Sequence, residues 1–329
     1  MNYLLVDGLN MFMRAKHVGG RGQSIDMKIG MAMHIMFNSI NKCWREFDGN
    51  HVVFCLEGRS WRKDFYKPYK ANRKVILDKR SPREQEDDEL YFEAYNDMVQ
   101  FFADKTNCTV LRCEEAEADD MIAIWVQQHP EDNHMIVSTD SDFYQLLAPN
   151  VQQYNGTTDQ VVTLEGWKDL KTGKPVIDKK TKEEKVPVDP SWILFEKCVR
   201  GDSSDNVFAS YPGARLKGTK NKTGIREAYE DRASSGYNYN NFMLQRWVDH
   251  DEGEHRVRDD FIRNEILIDL TAQPDEIKEL CIQRMNEQKK TEPMANIGIH
   301  FMKFCSKWNL QRMSDQVTSY GAMLNGRHG

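Results

Sequence analysis

The first half of the chain alternates short apolar runs with longer amphipathic stretches, and this pattern limits the fold more than any other feature. Residues 3–6, 52–54, 109–111 and 135–137 are β-branched or apolar and bounded by polar positions, as buried strands are. Between them, residues 26–47, 84–103 and 118–128 have helical composition and spacing. Strands that alternate with helices need crossover connections, so the pattern predicts an α/β fold with a central, mostly parallel sheet flanked by helices. After Pro149 the texture changes. Residues 151–190 contain Asn155-Gly156, the pair Val161-Val162 and Lys171-Thr172-Gly173-Lys174-Pro175, which predicts one or two β-hairpins inserted at the sheet edge. Residues 205–239 are rich in Gly, Lys and Asn and read as loop, followed by two or three helices and a short polar tail. No internal repeat or low-complexity tract is present.

The acidic residues gain meaning from this pattern. With 51 acids in 329 residues, isolated pairs carry little information. Their positions carry more. Asp7 follows the first strand, Glu57 the second, Glu114, Glu115, Glu117, Asp119 and Asp120 the third, and Asp140 and Asp142 the fourth. Parallel strands put their carboxyl ends on one edge, where open α/β sheets bind ligands, so four strand ends deliver carboxylates to one rim. Crowded carboxylates repel and raise each other's pKa unless cations lie between them. Oxygen-only donor sets select hard divalent ions, Mg²⁺ or Mn²⁺, over zinc. The alternative for any single acid is a solvated loop residue or a helix cap, for which Asp119 and Asp140 are placed. A further loop, Gly201-Asp202-Ser203-Ser204-Asp205-Asn206, carries aspartates at i and i+3 and could complete a second ion position. Two ions about 3.5–4 Å apart suit phosphodiester hydrolysis.

Charge distribution supports an anionic partner. The net charge is −6, yet residues 59–83 carry ten Lys or Arg against Asp64 and Asp78, a local excess of +8. Trp61, Phe65, Tyr66 and Tyr69 interleave with these cations and could stack on bases, which weighs against a merely solvated basic loop. The seven cysteines are scattered without a CxxC pair, as expected of a reduced cytoplasmic protein. No run approaches the roughly 18–20 apolar residues of a membrane span, and the N-terminal run meets Asp7 early, so neither signal peptide nor membrane association is expected.

Taken in order, five segments resemble the motifs of the 5′ nuclease family, which includes the 5′ to 3′ exonuclease domain of bacterial DNA polymerase I, flap endonucleases and the phage replication ribonuclease H. They are Leu5-Val6-Asp7-Gly8; Ser60-Trp61-Arg62 continuing to Tyr69-Lys70-Ala71-Asn72-Arg73; Glu117-Ala118-Asp119-Asp120; the run from Thr139-Asp140-Ser141-Asp142 to Leu147; and the Gly201 to Asn206 loop. The resemblance implies a PIN-like core over residues 1–206, with a basic helical arch at about 59–100 and the hairpin insertion at about 151–190. Residues 207–329 would be a helix-hairpin-helix-like and C-terminal helical DNA-binding region. It also implies two Mg²⁺ ions, replaceable by Mn²⁺. Asp7, Glu117, Asp119 and Asp140 would hold the first, directly or through water, with Asp120 in support; Asp142, Asp202 and Asp205 would hold the second. Lys70 and Arg73 fall on the arch's phosphate-facing positions, and a cation there offsets charge developing on the scissile phosphate. Arg14, Arg62, Lys67, Tyr69 and Lys74 are further expected nucleic-acid contacts. The implied substrates are 5′-ended or branched duplex DNA and RNA–DNA, and the implied task is removal of primers or flaps in replication by a phage-encoded enzyme. Single-strand-binding protein and a sliding clamp come into question as partners.

The sequence departs from the family pattern twice. The family places an aspartate after the second strand where this chain has Cys55, and Glu57, two residues on and on the same strand face, is expected to substitute through a bound water or a bend after Phe54. Cys55 is then a small buried packing residue. The family's tight Gly-x-Gly hairpin is replaced by the longer segment from Tyr211 to Lys220, which leaves potassium binding open while keeping Arg215, Lys217, Lys220 and Lys222 as basic contacts. Two other readings compete: a PIN-like ribonuclease acting on single-stranded RNA, and a structure-specific DNA-binding protein with a decayed metal site.

Overall fold

The computed structural model describes residues 1–16 and 24–328. The chain forms two compact units: unit 1 comprises Met1–Arg59, Arg80–Val188 and Pro274–Gly329, and unit 2 comprises Ser60–Lys79 and Asp189–Gln273. Unit 1 is built on strands β1 (Asn2–Asp7), β2 (His51–Leu56), β3 (Thr109–Arg112), β4 (Asn133–Val137), β5 (Val151–Asn155), β6 (Gln160–Thr163) and β7 (Gly166–Asp169). They form a seven-stranded sheet in the order β3-β2-β1-β4-β5-β6-β7. The pairs from β3 to β5 are parallel, and β6 and β7 add antiparallel. Numbered along the chain, unit 1 carries helices α1 (Gly8–Lys16), α2 (Ile25–Glu46), α5 (Pro82–Lys105), α6 (Ala118–Gln128), α11 (Asp275–Gln288), α12 (Ile297–Lys307), α13 (Gln311–Ser314) and α14 (Val317–Asn325). Unit 2 carries α3 (Arg62–Phe65), α4 (Ala71–Asp78), α7 (Pro190–Arg200), α8 (Ile225–Glu230), α9 (Tyr237–Met243), α10 (Val257–Ile268) and the hairpin β8–β9 (Arg246–Val248, Glu254–Arg256).

The sheet of unit 1 is buried on both faces, and its strands read as continuous apolar runs for that reason. Side chains alternate between faces, so Leu4, Val6, Val52 and Phe54 enter one core together with Phe37 of α2, Phe101 and Phe102 of α5, Phe301 and Phe304 of α12 and Tyr320 of α14. The opposite face is covered by α6, which packs on β1, β2 and β3, and by α11. Caps set the helix starts. Ser24 Oγ accepts from Met27 N–H at the head of α2, and Ser81 with Glu84 forms a capping box ahead of Pro82 on α5.

The expected domain boundaries are corrected by this packing. Residues 274–329 do not join 207–273 in a separate DNA-binding region; α12 and α14 complete the sheet core. The stretch expected to be one arch divides. Residues 60–79 belong to unit 2, where Tyr69 is part of the apolar core, while α5 sends Tyr91, Ala94 and Met98 into the core of unit 1. The expected hairpin insertion begins inside the sheet proper, because β5 pairs parallel with β4; the antiparallel portion is β6 and β7, extended by the bridges Lys168–Pro175 and Ile177–Glu184. In unit 2 a tight turn forms without a Gly-x-Gly pattern. Thr219 and Lys222 exchange main-chain hydrogen bonds of 2.7 and 3.3 Å, and the Glu227 carboxylate accepts from Gly218 and Gly224 N–H, each at 3.0 Å. Those two N–H groups are therefore committed within the protein.

Candidate functional site

In unit 1 the chain runs outward in opposite directions from β1 and β4, so the crevice at their carboxyl ends is the topological switch point. Asp7 ends β1 and is 3% exposed. Its Oδ2 accepts from Ser138 Oγ at 2.9 Å, just beyond β4, and its Oδ1 accepts from Asn10 N–H at 3.3 Å. Ser138 Oγ also accepts from Asp140 N–H at 3.1 Å, and Asp140 Oδ1 accepts from Asp142 N–H at 3.0 Å, capping the 3-10 turn Ser141–Leu146. Gln153, from β5, fixes the same loop by donating Nε2–H to the carbonyls of Ser138 (3.0 Å) and Asp140 (2.6 Å). Asn10 Oδ1 accepts from Thr139 Oγ1–H at 2.8 Å.

The β2 side is held by main chain. Gly58 N–H donates to Ala116 O and Arg59 N–H to Glu114 O, both at 2.9 Å. A Cβ at position 58 would lie 1.9 Å from Cys113 O, so the close approach requires glycine. This contact brings Glu57, just past β2, to the head of α6, where its Oε2 accepts from Ala118 N–H at 3.3 Å. Carboxylates at a helix N-terminus meet favourable dipole and N–H partners. Glu117 and Asp120 are buried there, and Asp120 Oδ2 accepts from Glu117 N–H at 3.1 Å. Cys55 is the register partner of Asp7 and fully buried. Burial, followed by the charges of Asp7 and Asp119, pushes its thiol well above the usual range, so it stays protonated.

The electrostatic centre of the rim is Asp7. Burial first, then the charges of Glu57 and Asp140, push its carboxyl up to about 7; the hydrogen bonds from Ser138 and Asn10 offset only part of this. Among the described residues, no three Asp, Glu, His or Cys side chains converge in metal-holding geometry. The acids share an edge without closing on one point. Glu114 and Glu115 are solvated and meet Arg112 and Arg59 at 3.6 and 4.0 Å.

Unit 2 carries the other predicted acids. Gly201, at a φ of 74°, turns the chain out of α7, and Asp202 Oδ1 gathers Ser204 N–H (2.8 Å) and Ser204 Oγ–H (2.6 Å). Asp202 Oδ2 pairs with Lys197 Nζ at 2.7 Å. Burial pushes this carboxyl up, but Lys197 and Ser204 outweigh it and hold it at about 2. Asp205 is ringed by groups from the 60–79 segment: Lys70 Nζ at 3.4 Å, Arg73 Nη2 at 2.8 Å and Tyr69 Oη at 2.9 Å. Lys70 N–H also donates to Asp205 O at 2.8 Å.

Two expected nucleic-acid contacts are corrected. Arg62 is 1% exposed; its Nε donates to Leu267 O at 2.8 Å and its guanidinium lies over the Trp61 ring, so it braces unit 2 from inside. Tyr69 is buried with its hydroxyl on Asp205, so its ring is not offered to a base. Arg14, Lys67, Lys74, Arg215, Lys217, Lys220 and Lys222 are exposed, as such contacts need to be. Sequence reasoning missed Asn10, Ser138 and Gln153. Asn10 and Ser138 stand next to the acidic motifs, but Gln153 is an ordinary strand residue until β5 is known to neighbour β4.

The family described as 5′-3′ exonuclease, N-terminal resolvase-like domain, matches residues 2–180. A ribonuclease H of Enterobacteria phage T4 is 27% identical over 294 residues, covering 84% of each chain. The 5′-exonuclease of bacteriophage T5, solved with zinc, shares the fold with a TM-score of 0.60 at 20% identity, covering 88% of this chain and all of that one. The T5 flap endonuclease, solved as a pseudo-enzyme–product complex with DNA and metal ions, gives a TM-score of 0.56 at 18% identity over 97% of this chain and 99% of that one. The chain belongs to the 5′-3′ exonuclease family. Within it, the matched residues 2–180 make it a 5′ nuclease.

Proposed function

We propose that this protein hydrolyses phosphodiester bonds at 5′ ends and flaps with divalent metal ions, removing RNA primers or flaps during phage-type DNA replication. The observation that carries the metal requirement is the placement of Asp7, 3% exposed at the end of β1, on the sheet edge to which Glu57, Glu117 and Asp140 are also brought. A rim of oxygen donors whose central acid is crowded by like charges is suited to a hard divalent cation, Mg²⁺ or Mn²⁺. When bound, such an ion supplies charge stabilisation at the phosphate and activation of the attacking water. The chain's own residues do the remaining work. Asp7, Glu57, Glu117, Asp119 and Asp140 hold and orient the ion, Asp120 fixes the Glu117 main chain, and exposed cations such as Lys67, Lys74 and Lys217 take the nucleic-acid backbone. Lys70 and Arg73 are proposed to offset phosphate charge at the scissile bond. The T4 ribonuclease H, similar over 84% of its length, and the DNA-bound T5 enzyme support this reading.

The test is cleavage of a 5′-labelled flap duplex, a nicked RNA-primed duplex and single-stranded RNA, with Mg²⁺ and with chelator, alongside a calorimetric count of bound ions. Mg²⁺-dependent cutting of the first two substrates, with two ions per chain as the family resemblance implies, is expected. Cutting that survives chelation, or that is confined to single-stranded RNA, would overturn the proposal.

A further inference from the structure

Tyr91 and Tyr95 stand one turn apart on α5 and share a helix face. Both rings pack on Phe12, with centroids 4.5 and 5.3 Å away. Their hydroxyls meet different fates. Tyr91 Oη donates to Phe12 O at 3.1 Å. Tyr95 Oη is buried and finds no hydrogen-bond partner among the described residues. A buried, unpaired hydroxyl is destabilising, so its place needs a reason.

The direction of the hydroxyl supplies one. A Cβ at Gly8 would lie 2.7 Å from Tyr95 Oη, which puts the hydroxyl beside the end of β1. Burial, then the charges of Asp7, Glu57 and Cys55, raise the phenol's pKa, so the group remains an O–H donor facing the acidic rim. A donor is what a rim of acceptors lacks on this side, because the neighbouring Cys55 thiol is only a weak one.

Resting on the metal reading above, we infer that Tyr95 is a positioning residue for the divalent ion, its O–H donating to a water of the ion's hydration shell that Glu57 also holds. The phenol then fixes that water's orientation without contributing a charge of its own. Outer-shell partners of this kind typically change metal affinity 10- to 100-fold when removed.

Tyr95→Phe separates this role from a structural one. In metal-free protein the variant should melt at or slightly above the wild-type temperature, because an unpaired hydroxyl is lost. Mg²⁺ titration followed by calorimetry and by the melting temperature should show about tenfold weaker binding. The Mg²⁺ needed for half-maximal cleavage should rise while the rate at saturating Mg²⁺ is largely kept. Combined with Glu57→Gln, the loss should be smaller than the product of the two single effects, since both act on one water. Wild-type Mg²⁺ affinity in Tyr95→Phe, or a lower melting temperature in its metal-free form, would overturn the inference. A wild-type protein that binds no Mg²⁺ would overturn the metal reading itself, whatever Tyr95 does.

Discussion

The two units treat their carboxylates in opposite ways. At the sheet edge of unit 1, Asp7 has like charges for neighbours, and its carboxyl is pushed up to about 7. In unit 2 the acids are matched: Asp202 pairs with Lys197 and is held at about 2, and Asp205 meets Lys70, Arg73 and Tyr69. Both motifs are dense in aspartate, so composition alone does not separate them. The difference teaches that one set is already compensated by the protein, while the other stores repulsion that an external cation can relieve.

The largest expected effect tests the uncompensated set. Asp140→Asn should reduce cleavage by a factor of about 1,000 or more, a loss confined to chemistry if DNA affinity stays within a few-fold. The same change should not lower the melting temperature of the metal-free protein, because it removes one of the charges crowding Asp7. Turnover near the wild-type rate, or a clear loss of metal-free stability, would break the comparison.

That stability measurement has a pH limit set elsewhere in unit 1. His51 and His134 are fully buried, and burial, only partly offset by the Gly326 carbonyl at His51 and by Asp132 at His134, lowers each to about 4 from the ordinary 6.5. The unfolded chain therefore takes up protons that the folded chain refuses. Stability from these groups is complete above pH 6.5 and is lost as pH falls from 6.5 to 4, by up to about 3 kcal/mol for each histidine. Asp7, raised to about 7 from the ordinary 3.8, gains its proton in the folded state over the same window and works in the opposite direction, so the histidine contribution is read as the difference between wild type and a histidine variant. Relative to wild type, His134→Leu, which removes two ring nitrogens without partners among the described residues, should lose less stability between pH 6.5 and 4 by about one histidine's share. An unchanged slope would mean that His134 is not the group being titrated.

The compensated set gives a smaller effect of opposite sign. Lys197→Met leaves Asp202, 10% exposed, without its cation. Breaking a partly buried pair from one side should cost about 2 kcal/mol, read as a lower melting temperature, and Asp202→Asn in the same chain should recover part of it. Neutralising a charge would then leave unit 1 no less stable and weaken unit 2. If Lys197→Met were neutral, the pairing would carry little energy and the contrast would shrink to geometry.

Much of this was legible in the sequence, for physical reasons. Strands buried on both faces are continuous apolar runs, so β1 to β4 were found within a residue or two, and parallel strands put Asp7, Glu57, Glu117, Asp119 and Asp140 on one edge by topology alone. The register sets Cys55 opposite Asp7, and the hydrogen bonds of Gly58 explain how Glu57 reaches α6. Legibility failed where long-range packing decides. Nothing in a cation-rich segment marks Arg62 for the interior, where a main-chain carbonyl and Trp61 receive it. The return of residues 274–329 to the sheet core depends on aromatic contacts among α2, α5, α12 and α14 that no local pattern announces.

The smallest effect distinguishes cations already paired from those that are solvated. Each Lys or Arg that neutralises a phosphate releases counterions, so the dependence of log affinity on log salt steepens by about 0.7 to 0.9 per contact. Lys67 and Lys74 are exposed and hold their charge in solvent, whereas Lys70 and Arg73 are spent on Asp205 in the protein without DNA. A cation that must leave one anion to meet another exchanges partners and adds little to the net ion release. Lys67→Ala with Lys74→Ala should therefore flatten the salt slope by about 1.4 to 1.8, while Lys70→Ala should flatten it by less than half of one contact. For Lys70 the larger consequence should be in the cleavage rate. A Lys70→Ala slope as shallow as that of Lys67→Ala would show that Lys70 binds phosphate as a solvated lysine does. The Asp205 pairing would then be too weak to separate the two kinds of charge.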